Sequence, residues 1–188
     1  MDSTTPLSRR IARPLALAAA CAGLALTASP ALAGSGGLGG PGSGGGGGDS
    51  GPAGKAQLKN GLAVAPSNAP RRVEKVITAA NKIAKGKEYC YGGGHASFQD
   101  NCYDCSGAVS YALHGGDFLD SPMPSGSFRS WGKKGKGKWI TVYAHSGHAY
   151  AVIAGLRFDT SMTPGAGPGW SKEMRSSSGF AARHPNNF

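Results

Sequence analysis

The stretch 101–116, NCYDCSGAVSYALHGG, decides the fold prediction, because it places a cysteine directly before a run of small and apolar residues. That run predicts a helix, with Asp104 as a favourable N-cap residue and Gly115-Gly116 as its end. A thiol at a helix N-terminus faces unpaired backbone N–H groups and the positive end of the helix dipole, and both favour the thiolate. Cys105 is therefore a candidate nucleophile.

The N-terminal segment 1–33 has the pattern of a secretory signal. Three arginines precede an apolar run, and Ala31-Leu32-Ala33 fits the small-residue rule for cleavage. The apolar run is too short for a membrane span, so we expect export without stable membrane insertion. Cleavage removes three positive charges and one negative charge from the net +10 and leaves +8. A basic exported protein suits an anionic surface such as a cell wall, and export argues against nucleic acid as a partner.

A glycine-rich stretch follows the signal, GSGGLGGPGSGGGGGDSGPAG at 34–54, and a polar stretch continues it to residue 69. Glycine has no side chain to bury and loses the most backbone entropy on folding, so residues 34–69 are predicted to be a flexible linker. We expect the folded domain at 70–188. It begins with a helix after Pro70, in which apolar residues recur with helical spacing and which ends near Gly86.

The second half of this domain has the alternation that is typical of β-strands, most clearly in KWITVYAHSGHAYAVIAGLRFDTS at 138–161. The predicted strands are 139–144, 148–154, 156–160 and, at the sheet edge, 179–185. Helices that are followed by strands, rather than alternating with them, indicate an α+β domain.

A nucleophilic cysteine needs a base that a third group holds in place. His148 opens one predicted strand, and Asp159 lies near the end of the next. Pairing of these strands about Gly155 brings the two positions side by side. Cys105 would then donate to His148, and Asp159 would fix the other imidazole nitrogen. His145, in the preceding turn, is the chief alternative for the base.

Three segments, YCYGG, YDCSGAVSYAL and SGHAYAVIAG, together resemble the NlpC/P60-type cell-wall cysteine peptidases, a branch of the papain-like superfamily. In that family an Asp-Cys-Ser-Gly sequence opens the central helix, and a tyrosine-containing Gly-Gly segment precedes it. A histidine further along begins a strand, and a third polar residue lies on the following strand. The resemblance covers about 70–188 and implies a papain-like α+β fold with N-terminal helices packed on an antiparallel sheet.

The same resemblance implies an exported peptidase that hydrolyses a peptide bond in the peptidoglycan stem, commonly between D-glutamate and a diamino acid. Cys105 matches the nucleophile, His148 the general base and Asp159 the orienting residue. Tyr89 matches a helper near the oxyanion. Many members have histidine where this chain has Asp159, but a carboxylate can also orient an imidazole. An amidase or acyltransferase on the same fold, or a catalytically inactive wall-binding module, are the alternatives.

Peptidoglycan is thus the expected partner, and the cell wall or the extracellular space is the expected location. We expect a monomer that uses no metal and no cofactor. The sequence assigns no substrate-binding residues beyond the catalytic set.

Removal of the signal leaves three cysteines, an odd number for an exported protein. A Cys90–Cys102 disulfide would leave Cys105 free and would contribute about 3 kcal/mol of stability in the chain-entropy model. Two alternatives remain: a zinc site that combines the three cysteines with His95, or a C-x-x-C redox pair of Cys102 and Cys105.

Two further features are ambiguous in the sequence. The basic loop GKKGKGK at 132–138 is either a solvated loop or a contact for an anionic wall polymer. His95, His114 and His184 are interpreted as structural residues.

Overall fold

The computed structural model describes residues 53–162 and 166–188. Within these ranges the chain is an α+β domain in which helices pack on an antiparallel sheet, so the predicted fold class is confirmed. The predicted signal segment 1–33 and residues 34–52 of the predicted linker lie outside the described residues. In the described ranges, no helix is long and apolar enough to cross a membrane.

The helices of the described chain are α1, Arg71–Ile83; α2, Cys105–Gly115; and α3, Ser125–Phe128. One face of α1 is buried, and Pro70 occupies its N-cap position. Every residue of α2 from Cys105 to Leu113 is buried, as expected of a helix that packs on all sides. It lies between α1 and the sheet, and both of its predicted ends are confirmed.

The strands of the described chain are β1, Gln57–Lys59; β2, Leu62–Val64; β3, Glu88–Tyr89; β4, Cys102–Tyr103; β5, Lys133–Lys134; β6, Ile140–His145; β7, His148–Ile153; β8, Leu156–Asp159; β9, Gly169–Ser171; and β10, Ala181–His184. Among the described residues, six of these form one antiparallel sheet in the order β5-β10-β6-β7-β8-β9. The three central predicted strands are confirmed as β6, β7 and β8.

The prediction of an edge strand at 179–185 is wrong in its position. β10 lies between β5 and β6, with Ala182 opposite Tyr143 and Arg183 opposite Lys134. The true edges are β5, which comes from the basic loop, and β9. Both are too short for the alternation of apolar and polar residues to reveal them.

The predicted flexible linker is wrong for its last residues, because β1 and β2 form a hairpin that packs on the domain. Asn60 and Gly61 form its turn, with φ values of 51° and 77°. Ala63 is buried, and its backbone N–H and C=O bond to the Asn81 side chain at 3.0 and 2.8 Å. The Ala56 N–H also donates to the Ala154 carbonyl at 2.8 Å. The fold therefore starts before Pro70.

The two faces of the β6–β7 pair have different environments. Ile140, Val142 and Ala144 on β6 alternate with residues of the other face, and they are fully buried in the core that α1 and α2 complete. The opposite face has Tyr143 and Tyr150, whose rings stack with centroids 4.9 Å apart. Because successive side chains alternate between faces, His148 shares this second face with Tyr150.

Candidate active site

Cys105 is the first residue of α2 and the free cysteine of the described chain; 9% of its surface is exposed. Asp104 is the N-cap, as predicted, and its Oδ1 accepts the Gly107 N–H at 2.8 Å. A Cβ at Gly107 would lie 2.0 Å from the Gly93 carbonyl oxygen. Glycine is required there because the loop that precedes β4 lies directly against the first turn of the helix.

His148 and Asp159 lie side by side, as the hairpin prediction requires. The turn between β7 and β8 consists of Ala154 and Gly155, with φ values of 45° and 82°. His148 Nε2 lies 2.9 Å from Asp159 Oδ1. The His148 side chain is 16% exposed and that of Asp159 is fully buried, so this pair is shielded from solvent.

Asp159 accepts several hydrogen bonds besides the contact with His148. The backbone N–H groups of Thr160 and Ser161 donate to its Oδ1 at 2.8 and 3.1 Å, and the Ser161 hydroxyl donates to its Oδ2 at 2.9 Å. Arg175 Nη1 donates to Oδ2 at 3.3 Å. Burial alone would raise the pKa of Asp159, but its bonds to His148 and Ser161 lower it below the usual value. The carboxylate is therefore held ionised.

The Cys105 and His148 side chains are close enough for the thiol to affect the charge of the imidazole. Because Nε2 contacts Asp159, Nδ1 is the ring nitrogen left for the thiol. Burial lowers the pKa of His148, but the hydrogen bonds and charges of Asp159 and Cys105 outweigh it and raise the pKa to about 9. This arrangement stabilises an imidazolium next to the sulfur. The alternative base, His145, instead accepts the Gly147 N–H at 3.0 Å and packs on Phe180.

Cys105 opens into a cleft of about 370 Å³. The other residues that line it are Tyr89, Tyr91, Gly92, His95, Asp104, Ser106, Pro124, Ser125, Gly126, Ser146 and Gly147. Tyr89 and Tyr91 are 41% and 95% exposed. Burial, followed by the charges of Cys105 and Asp104, raises the pKa of Tyr89, so its hydroxyl stays protonated beside the thiol and can donate a hydrogen bond.

A disulfide joins Cys90 and Cys102, with Cα atoms 5.6 Å apart, which is the pairing expected from the sequence. It ties β3 to β4, where Tyr89 lies opposite Tyr103 in a parallel pair. The zinc and redox alternatives are wrong, because both need the sulfur of Cys102 that the disulfide uses. In the described part of the chain, no group of three or more His, Cys, Asp or Glu residues could hold a metal ion.

His95 belongs to the site, although the sequence suggested a structural role. Its Nε2 lies 3.0 Å and 2.9 Å from the two Asp104 carboxylate oxygens and 3.1 Å from the Ser106 hydroxyl. These are the two residues that flank Cys105. The signal in the sequence is the glycine-rich GGGH segment between the paired cysteines, since glycines let a backbone approach a neighbouring helix closely.

The other two histidines have structural contacts, as expected. His114 Nδ1 lies 2.8 Å from the Leu119 carbonyl oxygen, and its ring stacks on Phe98 at 3.8 Å. His184 Nδ1 lies 2.9 Å from the Pro185 carbonyl oxygen.

No family model matches the chain, and no curated protein matches it. Solved structures that are similar include the resuscitation promoting factor interacting protein RipA, mutated at a histidine, with 21% identity over 72% of this chain and 70% of that one, and a TM-score of 0.46. A P60 domain of an antigen from M. avium subspecies paratuberculosis has 17% identity over 60% of this chain and 94% of that domain's chain, with a TM-score of 0.42. A hypothetical invasion protein of Mycobacterium tuberculosis has 22% identity over 71% of this chain and 69% of that one, with a TM-score of 0.45.

Proposed function

We propose that this protein is an exported cysteine peptidase of the NlpC/P60 type that hydrolyses peptide bonds in the stem peptides of peptidoglycan. The observation that carries the proposal is the position of His148, between Cys105 and the buried carboxylate of Asp159. Such an arrangement supplies a nucleophile, a base and a group that orients the base. The three residues come from one chain, so we propose that it acts as a monomer.

The first half of the proposed reaction forms an acyl-enzyme. His148 Nδ1 holds the proton given up by Cys105, the resulting thiolate attacks the carbonyl carbon, and the carbonyl electron pair moves to its oxygen. The backbone N–H of Cys105 and the Tyr89 hydroxyl are the donors proposed for this oxyanion. When the tetrahedral intermediate collapses, the C–N bond breaks, the imidazolium protonates the leaving amine, and a thioester remains on Cys105.

The second half releases the product. A water molecule gives a proton to the neutral His148 imidazole as its oxygen attacks the thioester carbon. The C–S bond then breaks, the thiolate takes back a proton from the imidazolium, and the new carboxyl group leaves. Asp159 stabilises the imidazolium in both halves, and its bonds to Thr160 and Ser161 keep it oriented.

Three features support peptidoglycan as the substrate. The motifs resemble those of cell-wall peptidases, the first thirty-three residues have the pattern of an export signal, and the predicted mature chain keeps a net charge of +8. The bond between D-glutamate and the diamino acid is the proposed cleavage point.

The experiment is digestion of purified sacculi, followed by mass analysis of the soluble fragments. Fragments with a new end within the stem peptide are expected. Release of intact stems would instead indicate an amidase, and sedimentation with the wall without any fragment would indicate a binding module. A Cys105→Ala variant, purified in the same way, identifies cleavage by contaminating enzymes.

A further inference from the structure

A second cavity, of about 400 Å³, lies on the tyrosine-bearing face of the β6–β7 pair and shares no lining residue with the cleft at Cys105. Its walls include Lys136, Lys138, Arg175, Trp139, Tyr143 and Tyr150. Among the described residues that line it, three are cationic and none is a carboxylate. A concave site with charge of one sign attracts ligands of the opposite sign.

The loop that supplies the two lysines is held in a defined path. The Gly137 N–H donates to Thr141 Oγ1 at 3.0 Å, and the Trp139 N–H donates to the Phe188 carbonyl at 3.1 Å. A Cβ at Gly137 would lie 2.2 Å from the Ile140 carbonyl oxygen, so the backbone is packed closely there. The backbone of the loop is therefore anchored on both sides of Lys138.

Arg175 provides the third cation from the opposite wall. Its Nη1 donates to Ser161 Oγ at 2.8 Å and to Asp159 Oδ2 at 3.3 Å. Both contacts use the same nitrogen, and a guanidinium has five N–H donors, so others remain for an anion. These contacts also fix the guanidinium, whose carbon lies 5.4 Å from the centre of the Tyr150 ring.

Trp139, Tyr143 and Tyr150 are largely buried and form an apolar part of the cavity wall, against which the C–H surface of a carbohydrate or polyol next to the anionic group would pack. Burial, with a further contribution from Tyr143, raises the pKa of Tyr150 to about 12. This hydroxyl therefore stays neutral and does not repel an anion.

We propose that this cavity, which we name the basic pocket, binds the anionic groups of a sugar- or polyol-based polymer of the cell wall. Phosphate and carboxylate groups share the chemistry that the pocket recognises. The described residues that line the pocket include none of those proposed for catalysis, but its wall residue Arg175 also contacts a member of that set, Asp159.

The test compares two variants that lose the same charge from the same loop. Lys136→Gln with Lys138→Gln alters the basic pocket, and Lys133→Gln with Lys134→Gln removes two exposed lysines of β5 that do not line it. Binding of a glycerol phosphate polymer, a uronic acid polymer and neutral dextran is measured by calorimetry at constant salt, with the chain after removal of residues 1–33.

We expect the wild type to bind at least one anionic polymer and not dextran. The affinity should fall about tenfold or more in the Lys136/Lys138 variant and less than about twofold in the Lys133/Lys134 variant. The polymer that binds more tightly identifies the anionic group. Equal losses in both variants would show diffuse surface charge and overturn the proposal, as would the absence of binding to either anionic polymer. Unchanged thermal unfolding of both variants confirms that they fold.

Discussion

His148 Nε2 lies 2.9 Å from Asp159 Oδ1 across the β7–β8 hairpin, and this contact assigns the two imidazole nitrogens to different tasks. Nε2–H donates to the carboxylate, so Nδ1 is the nitrogen that holds the proton given up by Cys105. The same contact opposes the cost of burying a charged imidazole, because the carboxylate beside it is itself held ionised. The pH dependence of the proposed reaction follows from this pair.

The alkaline limb of the pH–rate profile is expected near pH 9. The pKa of His148 is raised from 6.5 to about 9, so the imidazolium that protonates the leaving amine persists through neutral pH and is lost as the pH rises through that value. The measurement is kcat/KM on a stem-peptide substrate over a pH range that extends roughly two units to either side of the expected limb. An alkaline limb near 6.5 would contradict the contribution of Asp159 and Cys105 to the charge of His148.

Asp159→Asn should lower kcat/KM by roughly 10²-fold and move the alkaline limb to lower pH. The amide keeps the shape of the carboxylate but removes its charge, so the pKa of His148 falls towards its usual value. Since Arg175 also loses its partner, some loss of thermal stability is expected. A purely structural role for Asp159 predicts reduced stability with an unshifted limb, so the position of the limb separates the two explanations.

Cys105→Ser should abolish turnover, with a loss of roughly 10³-fold or more, while the thermal unfolding temperature stays nearly unchanged. Oxygen replaces sulfur with little change in volume, and the Asp104 cap does not depend on the thiol. His148→Gln should lose activity to a similar extent, whereas His145→Gln should retain it. Activity in the serine variant, or inactivity of the His145 variant, would mean that a different nucleophile or base operates.

The parts of the fold that the sequence predicted are those with local signals. The start of α2 follows from Asp104 as an N-cap, and the contact of His148 with Asp159 follows from the glycine-containing turn between two alternating strands. The position of β10 between β5 and β6 depends on contacts far apart in the chain, which periodicity does not encode. The Asn60-Gly61 turn had a local signal, but the glycine-rich composition before it obscured the hairpin.

The site residues could be predicted where they lie on helices or strands with local sequence signals, and not where they lie on an irregular loop. Cys105, His148 and Asp159 sit on regular elements whose ends could be read from the sequence. His95 sits on an irregular loop, and its contact with Asp104 depends on the path that the Cys90–Cys102 disulfide and the close Gly93–Gly107 approach impose. Loop paths of this kind depend on tertiary contacts, so composition alone did not distinguish His95 from a structural histidine.

His95→Leu should lower kcat/KM by roughly tenfold, mainly through a higher KM. The His95 imidazole lines the cleft and holds the Asp104 carboxylate and the Ser106 hydroxyl in place. It does not contact the His148–Asp159 pair, so its loss should affect substrate binding more than the proton transfers. His95→Gln keeps a hydrogen-bond donor and should recover most of the loss. Steady-state kinetics on both variants provide the check. A fall in kcat alone, or no recovery in the His95→Gln variant, would argue against a role of His95 in positioning the substrate in the cleft.

The disulfide should stabilise both the fold and the position of Tyr89. Cys90 and Cys102 are 12 residues apart, and a closed loop of this size contributes about 3 kcal/mol by restricting the unfolded chain. The double variant Cys90→Ser with Cys102→Ser should therefore lose about that much free energy of unfolding in a guanidinium titration. It should also lose activity under conditions in which it remains folded, because Tyr89 adjoins Cys90 and the disulfide ties β3 to β4 beside α2.

Cys105→Ala, which leaves the disulfide intact, is the matched control and should keep wild-type stability in the presence of oxidant. If the double variant retains full activity while it is less stable, the bridge acts on stability alone and Tyr89 does not depend on it.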